Sequence, residues 1–96
     1  MALDVEAVRS QFPALSRVVD GQPAAYLDGP GGTQVPESVI DAMAGFMRAG
    51  GSNHGGPFVT SRETDAVAAS ARQAVADLFG ASPNEIAFGQ NMTSLT

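Results

Sequence analysis

The chain has 96 residues, enough for one modest domain with a thin core. Its hydrophobic share of 44% argues against wholesale disorder, and the absence of cysteine excludes disulfides, zinc–thiolate sites and a thiol nucleophile. A net charge of −5, with five arginines and no lysine, disfavours nucleic acid or an anionic membrane as partner. It also removes every mechanism that needs a lysine amine from this chain.

The N-terminus carries acids where a signal peptide needs a basic start, and no stretch is apolar enough to span a membrane, so a soluble cytoplasmic protein is expected. The Asn91-Met92-Thr93 glycosylation pattern is read as chance.

In chain order, Asp4 is placed to cap a short helix from Val5 to about Phe12, with Val5, Val8 and Phe12 on one face and Pro13 as its stop. A loop with Asp20, Gly21 and Pro23 leads to a short strand at Ala24–Leu27. Asp28-Gly29-Pro30-Gly31-Gly32 then demands tight backbone geometry, and suits neither helix nor strand. Pro36 opens a helix whose Val39, Ile40, Met43, Phe46 and Met47 form one apolar stripe. Gly50-Gly51 ends it, and Ser52–Thr60 is expected to be irregular. A second long helix should run from Arg62 to Phe79, capped by Ser61, with Val67, Ala68, Ala71, Val75, Leu78 and Phe79 buried and Gly80 past its end. A turn at 81–84, a strand at Glu85–Phe88, and a turn at 89–91 precede the first turn of a further helix from Met92. A helix of one turn cannot sustain itself, so the pattern reads as a chain cut short. The long helical stripes call for a sheet that two short strands cannot supply, which points to self-association or partial disorder in isolation.

Three segments could carry chemistry. Gly29-Pro30-Gly31-Gly32 lacks the third glycine of a dinucleotide fingerprint and any Walker lysine, so it is either a plain loop or a close approach to backbone or ligand. Asp28 beside it is a turn former or a polar site residue. Gly89–Ser94, between a strand and a helix start, offers free N–H groups and hydroxyls to a phosphate, or is simply an N-cap. The only histidine, His54, lies in a glycine-rich loop, and one histidine without cysteine makes no metal site.

Taken in order, these segments resemble the N-terminal part of class V aminotransferases, and within them cysteine desulfurase-like proteins. The resemblance rests on Phe12-Pro13-Ala14-Leu15, Tyr26-Leu27-Asp28, the helix opened by Pro36, Asn53-His54-Gly55-Gly56, Ser61, Arg72, Phe79, Glu85-Ile86-Ala87-Phe88 and Gly89–Thr93. It covers essentially the whole chain and implies an α/β fragment of a fold type I transferase or lyase that uses pyridoxal 5′-phosphate (PLP). Residues 1–60 would form an N-terminal segment, and 61–96 the start of the large PLP-binding domain. By the resemblance, Met92 and Thr93 would hold the PLP phosphate. Asp28, Gly29, Gly31 and His54 would line the substrate side of the cleft. The parent would be a homodimer acting on an amino acid, by C–S cleavage or transamination. Gly55 stands where many desulfurases have arginine, and Met92 where threonine or glycine is frequent, which leaves Thr93 as the hydroxyl donor. The family's Schiff-base lysine has no counterpart here, so the chain alone is expected to be inactive, with no catalytic residue of its own. Two alternatives stand beside this reading: an interaction module that docks with a separate remainder, and a small phosphate-binding domain.

Overall fold

Asp4 starts the first helix as its pattern requires. In the computed structural model, which describes residues 1–96, its Oδ1 accepts the Ala7 N–H at 3.0 Å and opens α1, Val5–Arg9. The helix ends three residues before Phe12. Gln11 and Phe12 donate instead to Val8 and Arg9, three residues back, and this tighter winding runs into a 3-10 turn at Pro13–Ser16.

The chain next reverses at Asp20-Gly21. Both residues have positive φ, 51° and 77°, which the common two-residue hairpin turns demand and which glycine adopts without a Cβ penalty. The turn joins β1 (Val18–Val19) to β2 (Gln22–Pro23), an antiparallel pair in register Val18 to Pro23 and Val19 to Gln22. The strand expected at Ala24–Leu27 is therefore corrected. The ladder lies earlier, and after Ala24, whose N–H still reaches the Arg17 carbonyl at 2.9 Å, no segment remains to pair with. Tyr26 instead anchors its stretch by donating its hydroxyl to the Ala14 carbonyl at 2.9 Å.

α2 covers Glu37–Ala49, one residue later than a helix opened by Pro36 itself. The Pro36 carbonyl accepts the Val39 and Ile40 N–H groups, while the Glu37 N–H donates to Gln11 at 2.8 Å and ties the helix start to the end of α1. Gly50 leaves the helix with φ 87°, and Arg48 sits in its last turn, where a cation meets the negative end of the dipole. The apolar stripe of α2 is present but uncovered: Val39, Ile40, Met43, Phe46 and Met47 are all exposed, Met47 to 70%.

The chain divides into two compact units, Met1–Ala49 and Gly50–Thr96. In the second, α3 runs from Val59 to Phe79, three residues longer at its start than Ser61 as N-cap would give. Phe58 takes the cap position without a side-chain bond, and Ser61 lies inside the first turn, fully buried. The expected buried stripe is also corrected. Ala68 and Val75 are half-buried, Ala71 is exposed, Val67, Leu78 and Phe79 are more than half exposed, and Ala76 is the side chain that is fully covered. A 3-10 turn at Pro83–Glu85 packs back on α3, and the Ser82 N–H donates to the Glu85 carboxylate at 2.8 Å. The strand expected at Glu85–Phe88 does not form. Ile86 has extended dihedrals, but no neighbouring segment supplies a ladder. The last element, α4, is Met92–Leu95. No helix is long and apolar enough to cross a membrane.

The fold is thus helical with one short two-stranded sheet, and its sharpest stop is at the end of α3. Gly80 adopts φ 64° and ψ 34°, its N–H reaches the Asp77 carbonyl at 3.4 Å, and the Ala81 N–H reaches the Ala76 carbonyl at 2.9 Å. This is the Schellman pair of bonds, which satisfies carbonyls the helix leaves open. Gly80→Ala should lower the unfolding free energy by about 1 kcal/mol, because a Cβ disfavours the left-handed conformation. Urea denaturation followed by circular dichroism measures it; an unchanged midpoint would contradict the closure.

Candidate functional site

In the first unit, Asp28, Gly29 and Gly31 share one turn. Gly29–Gly31 forms a 3-10 turn that Asp28 caps, its Oδ1 accepting the Gly31 N–H at 3.3 Å beside the backbone bond at 3.1 Å. A Cβ at Gly31 would lie 2.6 Å from Asp28 Oδ2, so a side chain there would displace the capping carboxylate. Gly32 follows at φ 148°. The turn borders a shallow depression of about 330 Å³ lined by Tyr26, Leu27, Asp28, Gly31, Gly32 and Gln34, among others. The Asp28 carboxylate is engaged with its own turn, and its remaining lone pairs face solvent at an exposed position.

In the second unit, His54 is exposed in the loop ahead of α3 and lines an open cleft of about 270 Å³ with Thr64, Asp65, Ala68, Ala69 and Arg72. The loop is fastened to α3 by side chains, the Gly55 N–H donating to Asp65 Oδ1 at 3.0 Å. Arg72 also reaches the segment before α4, its guanidinium 5.8 Å from the centroid of the Phe88 ring, within the range of a cation–π contact. Sequence reading places Arg72 only as a matching residue. Its link to both the histidine cleft and Phe88 comes from tertiary geometry around the exposed face of α3.

Met92 and Thr93 open α4. Asn91 caps this turn: its Oδ1 accepts the Ser94 N–H at 2.9 Å, and the Ser94 hydroxyl donates to the Asn91 carbonyl at 3.0 Å. The cap consumes one N–H of the turn. The N–H groups of Met92 and Thr93 and the Thr93 hydroxyl bond to nothing in the chain. The N-cap expected at Asn91 is present, and beside it two main-chain donors and one hydroxyl have no partner in the chain. These are the groups a phosphate accepts bonds from, so the phosphate end of PLP fits the donor set. Its aldehyde end finds no partner, since the chain has no lysine. The site residues thus fall into one turn in the first unit and two separate segments in the second.

Gly89 sets the entry to this turn. A Cβ at Gly89 would lie 2.5 Å from Leu95 Cδ2 and Cγ, so Leu95 packs on the Gly89 backbone where a side chain would displace it. Gly89→Ala should push Leu95 away and move the amide resonances of Met92 and Thr93. An ¹H–¹⁵N spectrum in which those two amides stay in place would contradict that coupling.

Residues 25–95 match the family described as aminotransferase class-V. The chain is 42% identical over 95 residues to a cysteine desulfurase of Klebsiella pneumoniae (strain 342), a match covering 97% of this chain and 23% of that protein. It is 38% identical over 82 residues to a probable cysteine desulfurase of Vibrio cholerae serotype O1, covering 84% of this chain and 20% of the relative. A cysteine desulfurase of Serratia proteamaculans (strain 568) is 40% identical over 95 residues, with the same 97% and 23% coverage. The chain spans less than a quarter of the length of these curated relatives. With most of its length inside the matched region, the chain belongs to the class-V aminotransferase family.

Proposed function

We propose that this chain contributes the phosphate-binding end of a PLP-dependent enzyme that acts on an amino acid, cysteine desulfurase-like in its chemistry. The observation that carries the reading is the start of α4, where Met92 and Thr93 leave two N–H groups and a hydroxyl without partners inside the family-matched region. Membership of the class-V family and the cysteine desulfurase relatives support PLP as the cofactor of the parent. PLP, when bound, supplies an electron sink for bonds broken at the amino acid's α-carbon. The residues of this chain would do the holding: the two N–H groups and the Thr93 hydroxyl orient the phosphate, and the dipole of the opening turn favours its charge.

On this reading residues 1–60 form an N-terminal segment and 61–96 the beginning of the large cofactor domain of a fold type I enzyme. Asp28, Gly29, Gly31 and His54 border the substrate side. The desulfurase (C–S lyase) reaction is favoured over transamination by the names of the relatives, and the homodimer and the cytoplasmic location belong to the same proposal. The amine that grips the cofactor must come from outside residues 1–96, since none of them is lysine. The exposed apolar stripe of α2 supports a second reading, an interaction module that docks with a separate lysine-bearing polypeptide.

The phosphate role can be read without catalysis. Pyridoxine 5′-phosphate keeps the phosphate of PLP and lacks its aldehyde, so ³¹P NMR titration of the 96-residue chain isolates that end of the cofactor. Thr93→Ala should weaken binding about tenfold, the scale of one hydrogen bond to a charged group. Equal affinity in both proteins, or no binding by the unsubstituted chain at millimolar ligand, would overturn the assignment.

A further inference from the structure

The loop that carries the histidine is held to α3 by three side chains from the beginning of that helix. The Ser61 hydroxyl donates to the Asn53 carbonyl at 2.6 Å and accepts the Gly56 N–H at 2.6 Å. The Thr64 hydroxyl donates to the Ser52 carbonyl at 2.8 Å, and Thr64 Oγ1 accepts the Ser52 N–H at 3.4 Å. Asp65 accepts the Gly55 N–H with Oδ1 at 3.0 Å and Oδ2 at 3.3 Å. These bonds fall on both sides of His54, whose own N–H and carbonyl bond to nothing in the chain. A Cβ at Gly56 would lie 2.6 Å from Phe58 Cε1 and 3.0 Å from Ser61 Oγ, so a larger residue there would displace the Phe58 ring and crowd the Ser61 hydroxyl. Ser61 itself is completely buried, so its hydroxyl has no water to fall back on.

We infer that Ser61 is a positioning residue for His54, acting with Thr64 and Asp65 to hold the Ser52–Gly56 loop as a rigid strap that presents the imidazole at the cleft bordered by Arg72. The functional part of this inference rests on the reading above, in which the loop lies on the substrate side. A hydroxyl is needed because it donates and accepts at once, joining two backbone groups that no apolar side chain could join. Alanine would strand the Asn53 carbonyl and the Gly56 N–H in a partly enclosed place, a loss larger than the bonds themselves contribute.

The test uses the 96-residue chain with no cofactor added, so its outcome is independent of phosphate binding. Amide hydrogen exchange at Gly56 reads the strap, and carbethoxylation by diethylpyrocarbonate reads His54 alone, because the chain has a single histidine. Ser61→Ala should speed Gly56 exchange about tenfold or more and raise the rate of His54 modification several-fold. Ser61→Thr, which keeps the hydroxyl, should restore both at least in part, and Ser70→Ala, on an exposed position of the same helix, should alter neither. Three results would overturn the inference: an unprotected Gly56 amide in the unsubstituted chain, unchanged exchange in Ser61→Ala, or faster exchange with unaltered His54 reactivity. Loss of phosphate binding with the strap intact would sink the cofactor reading alone.

Discussion

The buried hydroxyl of Ser61 joins the Asn53 carbonyl to the Gly56 N–H, and much of the second unit is arranged around that one bridge. Because it is satisfied, the chain can turn tightly at Gly55 and Gly56 and enter α3 at Val59 without a capping side chain at Phe58. Because α3 then starts early, Thr64 and Asp65 fall one turn further along and reach the same loop. Arg72 follows about two turns later, at the edge of the histidine cleft and over Phe88. Local polar bonds, more than apolar burial, give this unit its definition. Ala76, a small side chain, is the one apolar residue that is wholly covered.

The apolar side chains show the opposite condition. α2 presents Val39, Ile40, Met43, Phe46 and Met47 at helical spacing, a stripe of the kind that normally faces a sheet, and each is exposed. Leu78 and Phe79 at the end of α3 are likewise open, at 79% and 73%. The sheet that would cover such faces is reduced to four residues in one hairpin. Chains of the length of the relatives have roughly four times as much sequence from which to build one, this chain matching 23% of the Klebsiella protein. Uncovered helix faces and an unpaired extended segment at Ile86 share one physical origin, a sheet too small to cover or pair with them.

Helices were more legible in the sequence than strands, for a physical reason. A helix closes its hydrogen bonds within itself, so Asp4 as a cap, the stripe of α2 and Gly80 as a stop can be read from residues a few places apart. A strand needs a partner, and Ala24–Leu27 and Glu85–Phe88 have β-compatible residues without one. The hairpin that does form is signalled by Asp20-Gly21, a dipeptide suited to positive φ, while its flanking strands are too short to show as apolar runs. Serine as a residue type favours the N-cap, whereas the Ser61 hydroxyl serves the loop from inside the helix. At the candidate site, Asn91 and the free donors of Met92 and Thr93 follow from local rules. The link from Arg72 to Phe88 depends on tertiary geometry and could not be read from spacing alone.

The proposed cofactor role requires a lysine outside residues 1–96, since none of these residues is lysine. Borohydride reduction of the protein isolated natively with whatever accompanies it, followed by peptide mass mapping, locates the attached phosphopyridoxyl group. The account predicts the label on a lysine outside this sequence. Cysteine-dependent sulfide release by the purified 96-residue chain, with no lysine present, would contradict it.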